Sequence, residues 1–334
     1  MKYRRRILIL TTLFFIVLSC NRNELLVDTS GIEVSFEVIN VDSIYSNTPN
    51  DSVQGVHNTF LEKLGSLYEY EISMNIQKRA NDIQADDIYS FYNNEYIKEL
   101  EKEKLKFNEE VWNQLDKTEE GFKHLKYHFE ELDLPKQIIL INKMFSGIEL
   151  DESQVSVGLE KYINQETKII KEIPSEELFQ WQKEAMNIEF LARDIIFRWI
   201  QASLFEEKDE NLAFHIIQAG KLLYILNAAF PNEDGAYIMR YSPEDYSWAI
   251  DNETPFWEYL VREEMLFKNN VRDKTNFLNE GPYTIGLPEK GPDRLGQFLG
   301  FRIVKQFMKS NKELTLQDLI NTEYNTILQS YEIN

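Results

Sequence analysis

Cysteine is almost absent from this 334-residue chain, with Cys20 the only one. An internal disulfide is therefore excluded, and so is a thiolate nucleophile anywhere past residue 20. Histidine is scarce too, occurring only at 57, 124, 128 and 215. Lysine and arginine number 36 against 56 acids, a formal charge of −20. A chain this acidic is repelled by nucleic acid and by anionic lipid headgroups, which excludes both as electrostatic partners. There is no Gly-x-Ser-x-Gly elbow, no phosphate-cradling glycine-rich loop and no Walker pattern, so the usual hydrolase and nucleotide signatures are missing. Adjacent acids such as Glu206-Glu207 and Glu263-Glu264 point apart on a helix and make no catalytic pair. Past residue 20 no apolar run approaches spanning length, which predicts a soluble body.

What is present is concentrated at the amino end. Lys2, Arg4, Arg5 and Arg6 precede an uncharged, mostly apolar stretch from Ile7 to Leu18, which runs into Ser19-Cys20. Twelve helical residues cover only ~18 Å, short of the ~30 Å hydrocarbon core, so the segment reads as a secretory signal rather than a spanning helix. A lone cysteine after a small residue at that point reads as a bacterial lipobox, with Leu18 somewhat bulky for its position. Residues 1–19 are then a lipoprotein signal peptide, Cys20 the lipidation site, 20–30 a lipidated tether and 31–334 a single mainly helical domain. Residues 1–19 hold four basic side chains and no acid, so cleavage shifts the net charge from −20 to −24. The acyl chains must do the anchoring, at ~0.8 kcal/mol per buried methylene, because electrostatics opposes it. The expected location is the cell envelope, lipid-anchored on the periplasmic side of the inner or outer membrane.

The body reads as α+β, mainly α, a helical body with a small β-sheet. Ile32 to Val38 alternates apolar and polar and predicts a half-buried strand. Val56, Phe60, Leu64 and Leu67 share a helix face, and Tyr89, Tyr92, Tyr96 and Leu100 repeat the pattern. The run Lys98 to Lys106 alternates Glu and Lys and predicts a solvated helix face. Lys136–Ile141 and Val155–Leu159 predict a hairpin or an adjacent strand pair. Further helices are predicted over Ser175–Phe205, broken once, then Asn211–Ala229, Pro292–Lys309 and Thr315–Tyr331. Ser242-Pro243-Glu244-Asp245 has the chemistry of a helix start, and Pro255 should break or kink what begins there.

Two constellations could carry chemistry. His124 and His128 lie at i, i+4 on one helix face, the spacing of a zinc pair, but lack the glutamate of a zinc-peptidase helix. Ordinary, partly exposed helix positions are the favoured reading. The other is Gly291-Pro292-Asp293-Arg294-Leu295-Gly296, continuing through Gly300 to Val304. A glycine inside a helix costs ~1 kcal/mol relative to alanine, and here two sit one turn apart. Gly296 and Gly300 read first as a tight helix–helix crossing. The sharper alternative is a helix N-terminus lining a cleft, with Arg294 at its mouth.

At this segment the chain resembles the gliding-motility lipoprotein GldB family of Bacteroidetes. The resemblance rests on Asn279-Glu280-Gly281-Pro282-Tyr283-Thr284, on Gly286-Leu287-Pro288 and on Gly291 to Val304. Gly220-Lys221-Leu222-Leu223-Tyr224, Tyr241-Ser242-Pro243-Glu244, Phe256-Trp257 and the lipobox add to it. That family looks like a relative of predicted zinc peptidases with a His-Glu-x-x-His helix and a later helix supplying a glutamate. The corresponding helix here, Ile188 to Gln201, carries Arg193-Asp194 and Arg198-Trp199 and no histidine. The later one reads Gln218-Ala219-Gly220-Lys221, without the carboxylate. The resemblance thus implies a degenerate zincin-like scaffold, no cofactor, and a non-catalytic role in gliding motility and the associated secretion machinery of the envelope, acting through protein partners. The alternative is an envelope metallopeptidase or other hydrolase with relocated ligands at His124 and His128. A small-molecule site near Arg294 is a third possibility.

Overall fold

A computed structural model describes residues 24–287 and 291–333. Its sheet has four short strands: β1 (Glu37–Asn40), β2 (Gln137–Leu140), β3 (Ile148–Asp151) and β4 (Gln154–Val157). The order is β1-β2-β4-β3, with β1, β2 and β4 parallel and β3 antiparallel to β4. The predicted pair Lys136–Ile141 and Val155–Leu159 is thus a parallel pair, and the hairpin is made by β3 and β4. The strand expected over Ile32–Val38 forms only from Glu37. The register sets Glu37 opposite Gln137, so Ser35 would face Pro135, which has no N–H for the ladder.

Sixteen α-helices surround the sheet in the described residues. Before β2 come α1 (Val41–Asn47), α2 (Val53–Ile76), α3 (Ala85–Tyr92), α4 (Glu95–Leu105) and α5 (Asn108–His128). After β4 come α6 (Lys168–Lys171), α7 (Gln180–Glu184), α8 (Leu191–Leu204), α9 (Leu212–Ala229), α10 (Gly235–Met239), α11 (Pro243–Asp251), α12 (Glu253–Arg262) and α13 (Val271–Leu278). The last three are α14 (Leu295–Ser310), α15 (Leu316–Asn321) and α16 (Tyr324–Gln329). The mainly α reading of an α+β fold is correct.

Strand alternation divides the core between the two sheet faces. Ile139 and Ile141 join Tyr45, Phe60, Leu64, Tyr68, Ile72 and Tyr92 on one side. Ile138, Leu140, Val155 and Val157 join Phe122, Leu125, Trp199 and the helical bundle on the other. α9 is the axis of that bundle, buried along most of its length against α14. It is also long and apolar enough to cross a membrane by length and composition, contrary to the expectation that no second such run exists. Some 78% of its apolar window is buried inside the fold, as in the core helix of a soluble protein.

Several helix ends follow local chemistry. Ser242 accepts a hydrogen bond from the Asp245 N–H, with Pro243 at the first helical position. α11 ends at Asp251, and Pro255 falls in the first turn of α12, where a missing N–H costs little. The predicted Ser175–Phe205 helix is interrupted between α7 and α8. Thr315–Tyr331 is two helices, because Lys221 Nζ draws the carbonyls of Ile320 (2.9 Å) and Thr322 (2.5 Å) out of the ladder. The solvated face predicted over Lys98–Lys106 holds for Lys98, Glu99, Lys102 and Lys106 but not for Glu103 and Lys104, which are buried. Ile97, Leu100 and Lys104 form the buried stripe of α4, and Lys104 meets Asp42 at 2.7 Å with both side chains buried. The tether is shorter than expected, for Leu25 packs into the bundle core and Glu24 pairs with Lys312.

Candidate functional site

Cys20 lies outside the described residues, so the site begins at the glycine motif. Gly300 sits against Gly220: a Cβ on Gly300 would come 1.9 Å from the Ile216 carbonyl oxygen, and one on Gly220 2.1 Å from that of Gly300. The backbones of α9 and α14 are in direct contact there. Gly296 faces α13, where a Cβ would meet the Phe277 carbonyl oxygen at 2.8 Å. Both glycines therefore occupy tight crossings. Arg294, one residue before α14, is the N-cap rather than part of the helix predicted from Pro292, and it adopts the left-handed conformation (φ 52°).

The loop ahead of α14 is knotted by side chains. Thr284 Oγ1 donates to the Pro292 carbonyl (2.6 Å) and accepts from the Leu295 N–H (3.3 Å). The Gly281 N–H donates to Asp293 (3.0 Å), and Tyr241 Oη donates to the Asp293 carbonyl. Segments far apart in sequence, around 241 and 280–284, thus converge on Arg294 and the residue before it, while the segment around 220 meets the same helix at Gly300.

Two more arginines complete the cluster. Arg193, on the first turn of α8, donates to the Ile238 carbonyl through Nε (3.2 Å) and Nη2 (3.0 Å) and to Asp194 through Nη1 (3.0 Å). Arg294 Nη2 reaches the Arg240 carbonyl at 3.4 Å. The end of α10 is therefore held by two guanidinium groups. There Arg240 also takes a left-handed backbone (φ 58°) and sends Nε to Asp194 at 3.1 Å. Tyr162 Oη donates to the same carboxylate at 3.2 Å. Burial raises the Asp194 carboxyl, and the charges of Arg240 and Arg193 outweigh it, leaving the group below the ordinary aspartate value. Each arginine lies over a ring: Arg193 over Phe197 (4.5 Å), Arg240 over Phe190 (4.9 Å) and Arg294 over Tyr241 (5.2 Å). Three buried cations in so acidic a chain, two of them on strained backbone, form the most specialised chemistry in the described residues.

A second polar network sits at the carboxyl ends of the parallel strands. Asp42 accepts from Tyr92 Oη (2.9 Å), Lys104 Nζ (2.7 Å) and the Asn142 N–H (2.9 Å). Lys143 pairs with Glu71, and its N–H donates to Glu160 at 2.7 Å. Burial, followed by the Asp42 charge, pushes Glu101 up to about 7. Apart from Arg294, sequence reasoning missed both networks, since their members are scattered over more than 100 residues of chain.

The histidines are dispersed. His57 is a satisfied core residue: Nε2 meets the Ala80 carbonyl at 3.1 Å and so must donate, leaving Nδ1 to accept from Tyr68 Oη at 2.8 Å. His124 and His128 are partly exposed on α5, with His124 Nδ1 and His128 Nε2 buried and unpartnered. His128 also lines an acid-walled cleft of about 870 Å3 containing Glu130, Glu131, Asp133, Asp151 and Glu152. Among the described residues no three His, Cys, Asp or Glu side chains are grouped to hold a metal ion.

Burial, helped by His124, pushes His128 down to about 4 from 6.5. Between those values the unfolded chain binds more protons at this site than the folded one, so its contribution is present above pH 6.5 and lost as pH falls towards 4. Urea melts at pH 7 and 4.5 should show a smaller acid-induced loss in His128→Gln than in the parent. Equal losses would refute the assignment.

These features define the class, an acidic and mainly helical α+β protein whose motif segments knot around one arginine cluster. The chain belongs to the gliding motility protein GldB family, whose pattern it matches over residues 22–332. Membership makes it a gliding motility protein. No curated protein and no solved structure matches it.

Proposed function

We propose that the chain is a lipoprotein, cleaved before Cys20 and acylated there, that acts without catalysis in the gliding-motility machinery of the cell envelope and its associated secretion apparatus. Family membership across residues 22–332, joined to the lipobox at Cys20, carries the reading. The helices that resemble the metal helices of predicted zinc peptidases offer no ligand set, and that supports a non-catalytic role. On α8, Asp194 is occupied by Arg193, Arg240 and Tyr162; on α9, Gly220 is closed against Gly300. A degenerate relative of those peptidases would keep the scaffold and lose the metal. Such a protein works through the partners it holds beside the membrane.

Cys20→Ala should move the protein from the membrane to the soluble envelope fraction on cell fractionation. Quantitative retention with lipid would refute the anchor. Deleting the gene should abolish gliding and surface spreading, and unchanged movement would refute the role.

The unpartnered nitrogens of His124 and His128 favour one alternative, an envelope metallohydrolase with relocated ligands. Elemental analysis of protein purified without chelator distinguishes the two readings. Stoichiometric zinc that disappears in His124→Ala would replace the non-catalytic reading.

A further inference from the structure

The fold leaves one side of β3 without a neighbour. The order β1-β2-β4-β3 puts β4 on one flank of this strand and, among the described residues, no strand on the other. The Gly158 N–H donates to the Gly147 carbonyl (3.0 Å) just past the ladder. Directly bonded residues alternate in an antiparallel pair, so 147, 149 and 151 turn their amides towards β4. Ile148 and Leu150 turn theirs away, and their backbones find no partner outside the ladder among the described residues. An unpaired edge of this kind is a template for a further strand. Leu150 and Asp151 also line the cleft of about 870 Å3, so there is room for a chain beside this end of β3.

The cleft decides which chain can enter. Its floor is apolar, made by Phe129, Leu132, Trp199 and Leu204, and its walls carry Glu130, Glu131, Asp133, Asp151 and Glu152. Ser66 and the Glu152 N–H occupy the Asp151 carboxylate. The other four acids are exposed, and their carboxylates have no partner among the described residues. Among the described residues no lysine or arginine lines the cleft, and Lys126 nearby is bonded to the Leu132 carbonyl at 3.0 Å. A second copy of this chain, with its charge of −20, would be repelled. A lysine or arginine side chain suits both surfaces, with its methylenes on the apolar floor and its charge at the carboxylates. In an extended segment every second side chain faces the same way, so alternate basic residues would all point to the side of Leu150 and Trp199.

We propose that an extended, basic segment of a partner protein docks here, adding to the sheet along β3 and setting alternate lysines or arginines in the cleft. The Leu150 N–H and carbonyl pair with its backbone, while Glu130, Glu131, Asp133 and Glu152 select its charge. The inference rests on the reading that the protein works through protein partners. Its test reads binding alone, so failure here leaves the outcomes of gene deletion and Cys20→Ala standing.

The test is isothermal titration of the full-length protein in detergent with acetylated, amidated pentapeptides. Lys-Val-Lys-Val-Lys should bind saturably, and Glu-Val-Glu-Val-Glu should not. Lys-Pro-Lys-Pro-Lys carries the same charge but lacks N–H groups at alternate positions, so it cannot complete a ladder and should bind roughly tenfold more weakly. Glu131→Gln with Glu152→Gln, both at exposed positions, should weaken the valine peptide about tenfold. Glu263→Gln with Glu264→Gln removes the same charge away from the cleft and should change its affinity less than about twofold, because salt screens distant charges. Absence of saturable binding, equal affinity for the proline peptide, or equal weakening in the two double variants would each overturn the proposal.

Discussion

Gly300→Ala is expected to lower the melting temperature by roughly 5–10 °C, the equivalent of about 3 kcal/mol. The added methyl has nowhere to go, because the atom it meets at 1.9 Å is the backbone carbonyl oxygen of Ile216. A flexible side chain could rotate away from it; a helix carbonyl can move only with its helix. The reciprocal contact of Gly220 on the Gly300 carbonyl means that α9 and α14 must separate, and with them the centre of the larger core. Gly55→Ala is the control. It lies within α2 with open space around its Cβ position, so better helix propensity should stabilise the protein by about 1 kcal/mol. Thermal melts of the two variants should therefore move in opposite directions. A neutral Gly300→Ala would show that the two helices are not in backbone contact.

Asp42→Ala is expected to cost about 3–5 kcal/mol, enough to abolish accumulation of folded protein at growth temperature if the parent is marginal. The carboxylate serves three buried donors at once: the Lys104 ammonium, the Tyr92 hydroxyl and the Asn142 N–H. Removing it leaves a cation in the interior with Glu101 as its remaining direct ion-pair partner, and that carboxyl is itself pushed up to about 7. Most of the loss comes from the stranded lysine rather than from the missing attraction. The double variant Asp42→Asn with Lys104→Met should accordingly be less damaged than the sum of its single changes in chemical denaturation. Strict additivity would disprove the coupling.

The sequence made local periodicity and capping legible. α9 ended where expected, because Asn211 caps it and Pro231 follows, and the Ser242-Pro243 start is as its residues imply. Strand existence was readable from β-branched runs, but neighbour order was not. Nothing in residues 136–159 says that β2 pairs with β4 in parallel rather than in a hairpin. Lys104 was misread because its charge was weighed above its place on the Ile97–Leu100 stripe, and its partner lies 62 residues away. For the arginine cluster, the motif around Arg294 was visible and its company was not. Arg193, Asp194, Tyr162 and Arg240 are brought together by tertiary packing alone, although Arg240 does stand next to the Tyr241-Ser242-Pro243 segment.

If Cys20 carries lipid as proposed, Leu25 in the bundle core has a mechanical meaning. Only residues 21–23 separate the acylated residue from Glu24, and four peptide steps reach at most ~14 Å. A leash of that length limits how far the body can stand from the bilayer. The region around Leu25 and Lys312 must ride close to the bilayer surface, so the protein meets its surroundings like a fixture bolted at one corner. A partner must come to that fixture at the height it imposes. Lengthening the leash with a flexible insert after Asn23 should therefore impair gliding even when folding and membrane attachment are intact.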